Sequence, residues 1–197
     1  MTHEIRVLAN MQVEERADQA PKMVGYAAVF GQETDIGGYF REVVQRGAFA
    51  DAIARDDIHA LYNHDYAFVI GRRKAGTLTL AEDSHGLKVE ITPPDTQTAR
   101  DLVANIRAGN IDQMSFAFTM EGGKQTWDET GPTPLRSIDK VGELYEVSVV
   151  PRGAYPTTEI GMRSLDEFRK AQRRHNFNAA ARRKALKVGL DLRERGI

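Results

Sequence analysis

Four side chains in this sequence carry groups suited to acyl transfer: His64, Ser115, Glu146 and Arg152. An imidazole can take the proton of a hydroxyl, and the freed oxygen can attack a carbonyl carbon. A carboxylate behind the imidazole orients it and stabilises the imidazolium that forms. A guanidinium can support the developing oxyanion directly, through water, or by fixing a loop whose N–H groups face it. The chain has no cysteine. That removes disulfides, thiolate metal sites and a cysteine nucleophile, and leaves Ser, Thr, Lys or a carboxylate to attack.

Each of these residues depends on the element that carries it. His64 stands in Leu61-Tyr62-Asn63-His64-Asp65, where a strand over 57–63 ends and the chain turns. Ser115 belongs to the clearest strand pattern, 113–120. Met114, Phe116, Phe118 and Met120 share one face there, and Ser115, Ala117 and Thr119 share the other. The large residues predict a core face, and the small ones leave room for a substrate backbone. Glu146 lies inside a strand over 141–150, closed by Pro151-Arg152-Gly153. A buried carboxylate costs several kcal/mol unless paired, so Glu146 requires a partner, and an imidazolium would serve. Asp65, Asp112 and Glu143 are rival third members. Taken singly, all four residues also have ordinary structural readings, as a satisfied histidine, a solvent-face serine, a wet-face glutamate and a surface arginine.

The rest of the chain supplies the frame. Strand patterns fall over 4–8, 21–31, 39–44, 76–82 and 86–92, with a hairpin turn at Asp83-Ser84-His85-Gly86. Short helices are expected over 47–55 and from Asp95 or Thr96 to about 108, the second ended by Gly109-Asn110. Residues 121–134, rich in Gly, Thr and Pro, predict an exposed loop. Most connections look too short for parallel crossovers. The expectation is a mainly β, α+β fold: a closed or nearly closed antiparallel barrel of six to seven strands with flanking helices.

From Ser164 the pattern turns helical, with Glu167 three residues on completing a capping-box signature. Residues 163–197 hold 11 basic and 4 acidic residues, against 16 and 24 in the remainder. This predicts a catalytic domain over 1–162 and a basic helical segment over 163–197. No apolar run reaches the roughly 20 residues of a membrane span, and no secretory signal is read at the N-terminus. No phosphate-cradling loop, zinc-ligand spacing of the five histidines, or aromatic-rich basic strand appears. Neither cofactor nor metal is therefore expected, and nucleic acid is not the expected partner.

The order of the motifs resembles that of the tailed-phage prohead, or capsid maturation, proteases. The resemblance runs through Gly25-Tyr26-Ala27-Ala28-Val29-Phe30, Leu61-Tyr62-Asn63-His64-Asp65 and Met114-Ser115-Phe116-Ala117-Phe118. It continues through Glu146-Val147-Ser148-Val149-Val150-Pro151 and Ala154-Tyr155-Pro156, and covers about 21–165. It implies a fold related to the herpesvirus assembly protease, assemblin, with His64 as general base and Ser115 as nucleophile. The third member is a histidine in the herpesvirus branch. No histidine lies near the matching strand here, so a carboxylate must substitute: Glu146 by position, with Asp65 and Asp112 as rivals. Arg152 falls where that branch has an oxyanion-supporting arginine. The implied substrate is the scaffold segment of the phage major capsid protein, cut inside the procapsid in the host cytoplasm, with self-cleavage and a homodimer as further expectations. The basic segment would direct the enzyme into the procapsid, pack on the barrel, or bind DNA. Two other readings compete: a non-enzymatic assembly protein on the same barrel, and an unrelated serine esterase or amidase. The second would be favoured by a Gly-x-Ser-x-Gly elbow, which the surroundings of Ser115 lack.

Overall fold

The computed structural model describes residues 4–9, 11–15 and 21–151, together with the helical residues 165, 166, 168–170, 173, 174 and 178. Arg152, the Ala154-Tyr155-Pro156 motif, and Ser164 and Glu167 of the expected capping box lie outside the described residues. The chain divides into two compact units, Met1–Thr158 and Glu159–Ile197, and every element named below belongs to the first.

In chain order these are β1 (Glu4–Ala9), β2 (Met11–Glu14), β3 (Lys22–Val29), β4 (Thr34–Ile36), β5 (Phe40–Val44), α1 (Ala50–Arg55), β6 (His59–Tyr62) and β7 (Asp65–Arg72). There follow β8 (Leu78–Glu82), β9 (Gly86–Ile91), α2 (Gln97–Arg107), β10 (Gln113–Thr119), β11 (Lys124–Asp128), β12 (Leu135–Lys140) and β13 (Glu143–Val150). The strands form one five-stranded sheet, β1-β10-β13-β6-β7, and two four-stranded sheets, β11-β12-β5-β4 and β2-β3-β9-β8.

The mainly β, α+β class holds, but among the described residues no sheet closes into a barrel. The sheets are not purely antiparallel either, because β12 pairs in parallel with β5, and β13 with β6. The short-connection argument fails for a simple reason. It constrains strands that follow one another, whereas β6 and β13 are far apart in sequence and need no crossover helix. The segment expected as a loop contains β11, whose burial alternates between exposed and half-buried positions. Its Gly- and Thr-rich flanks obscure that period. β7 was also missed: of its eight residues only Ile70 and Gly71 are buried, so it shows no strand alternation.

The core gathers Met114, Phe116 and Phe118 of β10 with Val147 and Val149 of β13, Phe49 beside α1, and Leu87, Val89 and Ile91 of β9. Phe116 meets Phe49 edge-on at 5.3 Å and Phe118 face-on at 5.3 Å. Helix α2 begins where expected: the Thr96 hydroxyl accepts from the Ala99 N–H at 3.2 Å, and Leu102, Val103 and Ile106 are buried. Gly142 sets the start of β13. A Cβ there would lie 1.9 Å from the Glu121 carbonyl oxygen, so the approach of β13 to the end of β10 tolerates only glycine.

Four buried charged residues tie β1 to the sheet containing β5 and β12. Arg6 donates to both oxygens of Glu42 and to Glu4, and Arg136 donates to the same two carboxylates. The guanidinium of Arg6 lies 5.6 Å from the ring of Phe118, and that of Arg136 lies 5.7 Å from Trp127. Two cations and two anions cancel, and the carboxylates take bidentate contacts, which is how buried charge becomes tolerable. Burial pushes the Glu4 carboxyl upward, but the hydrogen bonds and charges of Arg136 and Arg6 outweigh it and hold Glu4 at about 2. Burial likewise opposes the charge on Arg6, and Glu42 and Glu4 raise its pKa nonetheless.

Candidate active site

The site is built on three adjacent strands of the five-stranded sheet. β13 lies between β10, its antiparallel neighbour, and β6, its parallel one. The register places Ser115 of β10 directly beside Ser148 of β13, and Leu61 of β6 on the other side of Ser148. Directly opposed residues carry Cβ atoms about 4.5–5.5 Å apart. Ser148 is two residues from Glu146 and so shares its face. Val147 and Val149 between and beyond them point into the core.

His64 comes from the turn after β6. Tyr62 pairs with Asp65, leaving Asn63 and His64 as a two-residue hairpin loop. Both have positive φ, 54° and 60°, the signs of a type I′ turn. Asparagine accepts this region readily. The second position favours glycine, yet here it holds histidine. Strain kept at a non-glycine residue asks for a compensating contact, and the imidazole supplies one.

That contact is Glu146. His64 Nδ1 lies 2.7 Å from Glu146 Oε1. Glu146 is 3% exposed, so the buried carboxylate has the partner it required. An ionised carboxylate only accepts, so Nδ1 carries the proton and Nε2 offers a lone pair. Nε2 is buried and has no hydrogen-bond partner among the described residues. A ring held at Nδ1 and open at Nε2 is the arrangement of a general base.

The second carboxylate oxygen of Glu146 accepts from the Ser148 hydroxyl, and Ser148 Oγ accepts from the His64 backbone N–H at 3.2 Å. Ser148 was not singled out from the sequence. Its place two residues after Glu146 on the same strand face is the signal that could have raised it. Tyr66 was missed too. Its side chain is largely exposed, and its hydroxyl pKa is raised by desolvation and by the charges of Glu146 and Glu143. Its ring meets His59 edge-on at 5.8 Å.

Ser115 is fully buried, and its hydroxyl donates to the Arg6 carbonyl at 2.8 Å. It lies on the strand next to that of Glu146, with its proton resting on the backbone of β1. The rival carboxylates stand elsewhere. Asp65 accepts from the Ala67 N–H, and Asp112 and Glu143 are exposed. Among the described residues no cluster of His, Asp and Glu could hold a metal, and no helix is long and apolar enough to cross a membrane.

Residues 8–171 match the family model of the caudovirus prohead serine proteases. No curated protein matches the chain in sequence. Among solved structures, the bacteriophage T4 capsid assembly protease, gp21, is similar in fold at a TM-score of 0.50 and 11% identity, covering 75% of this chain and 98% of that one.

Proposed function

The chain belongs to the caudovirus prohead serine protease family, and from that premise we propose that it cleaves the scaffold segment of the phage major capsid protein inside the procapsid, with Ser115 as nucleophile, His64 as base and Glu146 as third member. The observation that carries this reading is the imidazole of His64, bound at Nδ1 by a buried carboxylate of β13, the strand next to that of Ser115, and unpartnered at Nε2 among the described residues.

In the reaction the Ser115 hydroxyl turns from the Arg6 carbonyl toward His64 Nε2. As Oγ attacks the scissile carbonyl carbon, its proton passes to Nε2, and the C=O π electrons move onto the carbonyl oxygen. Glu146 stabilises the imidazolium without taking its proton. The protonated Nε2 then donates to the leaving amine as the C–N bond breaks. Water, deprotonated by the same nitrogen, hydrolyses the ester. Arg152, directly after β13, is the proposed oxyanion support. The basic segment 163–197 carries the enzyme into the assembling shell, and self-cleavage follows there.

The test is trimming of the capsid protein in coexpression. Ser115→Ala and His64→Ala should each abolish trimming while the protein stays folded. Trimming of the capsid protein at the wild-type rate by Ser115→Ala would refute the nucleophile and leave a non-enzymatic assembly role. For the basic segment, deletion of residues 170–197 should lower the number of protease copies per procapsid, and an unchanged number would sink the targeting role.

A further inference from the structure

We propose that Ser148 is a positioning residue that clamps His64 and Glu146 into the geometry of a working base, a role that rests on the base function of His64 proposed above. The contacts form a closed ring. His64 N–H donates to Ser148 Oγ, the Ser148 hydroxyl donates to Glu146 Oε2, and the other oxygen of Glu146 accepts from His64 Nδ1–H. One buried hydroxyl thus joins the main chain of the histidine to the carboxylate that holds its side chain.

A buried hydroxyl needs only one partner to be satisfied, so burial alone does not account for this ring. Two freedoms would spoil the base. The carboxylate could rotate away from Nδ1, and the turn could relax from the left-handed region in which His64 is held at φ 60°. Ser148 opposes the first as donor to Oε2 and the second as acceptor for the His64 amide. It spends its single proton on Glu146, and the nucleophile proposed above is Ser115, its cross-strand neighbour.

The experiment uses the full chain and a fluorophosphonate probe, following the rate of labelling and mapping the labelled serine by peptide mass. The His64 Nδ1–H proton is read separately by NMR in unlabelled protein. In Ser148→Ala the maximal labelling rate should fall about 10–100-fold, the range of a lost hydrogen bond to a charged group. The half-saturating probe concentration should not change, the label should stay on Ser115, and the downfield Nδ1–H resonance should broaden or vanish. Ser148→Thr, which restores the hydroxyl, should recover most of the rate. The proposal falls if Ser148→Ala labels at the wild-type rate with the resonance intact, or if the wild-type label maps to Ser148. Failure of the base reading would look different. His64→Ala would then label like wild type, while the resonance would still report whether Ser148 holds the ring.

Discussion

Two buried polar groups in this molecule are built on opposite terms. In the cluster of Glu4, Arg6, Glu42 and Arg136, charges balance, each guanidinium has several acceptors, and an aromatic ring lies beside each cation. In the group of His64, Glu146 and Ser148, the carboxylate is equally buried, yet one ring nitrogen has no partner among the described residues and two turn residues stand at positive φ. The first group is saturated and can do nothing further. The second has one open valence, held in place by contacts that are otherwise complete. Burial and charge alone do not separate structural from functional clusters; what marks the second is a basic ring nitrogen whose lone pair meets no donor among the described residues.

The comparison breaks most visibly at Glu146. In Glu146→Gln the amide can still accept from Ser148, but its NH2 can donate to Nδ1 and move the imidazole proton to Nε2. The maximal fluorophosphonate labelling rate should drop by up to about 10⁴-fold, without complete loss of labelling and with a small change in denaturant midpoint. An unchanged rate would return the third role to Asp65 or Asp112. Arg136→Met should behave in the opposite way. It leaves Glu4 and Glu42 facing Arg6 alone, and should cost about 3–5 kcal/mol of stability, read from urea unfolding, while the remaining folded molecules label as before. Acid should also separate the two groups. Glu4 is held at about 2 against an ordinary 4.5. Its contribution is complete above the unfolded value and is lost as pH falls through the folded one. Glu4→Gln should therefore flatten the stability curve between about 4.5 and 2, and leave its slope above that window unchanged.

These contrasts also explain what the sequence could tell. Strand β10 was legible because its two faces differ in residue size, and α2 because Thr96 caps it and its apolar residues recur at helical spacing. Glu146 was legible because a carboxylate inside an apolar strand demands a partner. β4 and β7 were not, since a three-residue strand and a largely exposed one leave no period to detect. The arrangement into three sheets was hidden because it depends on the parallel pairings of β5 with β12 and β6 with β13, between strands remote in sequence. Ser148 was hidden for a related reason. Its partners are the backbone of a turn 84 residues away and a carboxylate that is itself assigned only by its contact to that turn. The ionic cluster escaped notice because Arg6, Glu42 and Arg136 look like ordinary surface charges until the strands carrying them meet.

The smallest effect tests the turn itself. Asn63 is exposed and makes the left-handed conformation affordable at the first loop position, next to a histidine that must hold the same region at the second. Asn63→Ala removes no contact to the site, but it places an ordinary side chain at φ 54°, at a cost of about 1–2 kcal/mol. If the turn relaxes to relieve that cost, His64 moves off Glu146, and labelling of Ser115 should fall several-fold along with the unfolding midpoint. Asn63→Gly tolerates the conformation and should keep the labelling rate. Equal rates in the two variants would mean that the clamp from Ser148 and Glu146 fixes His64 without help from the turn, and that the histidine is held by its side-chain partners alone.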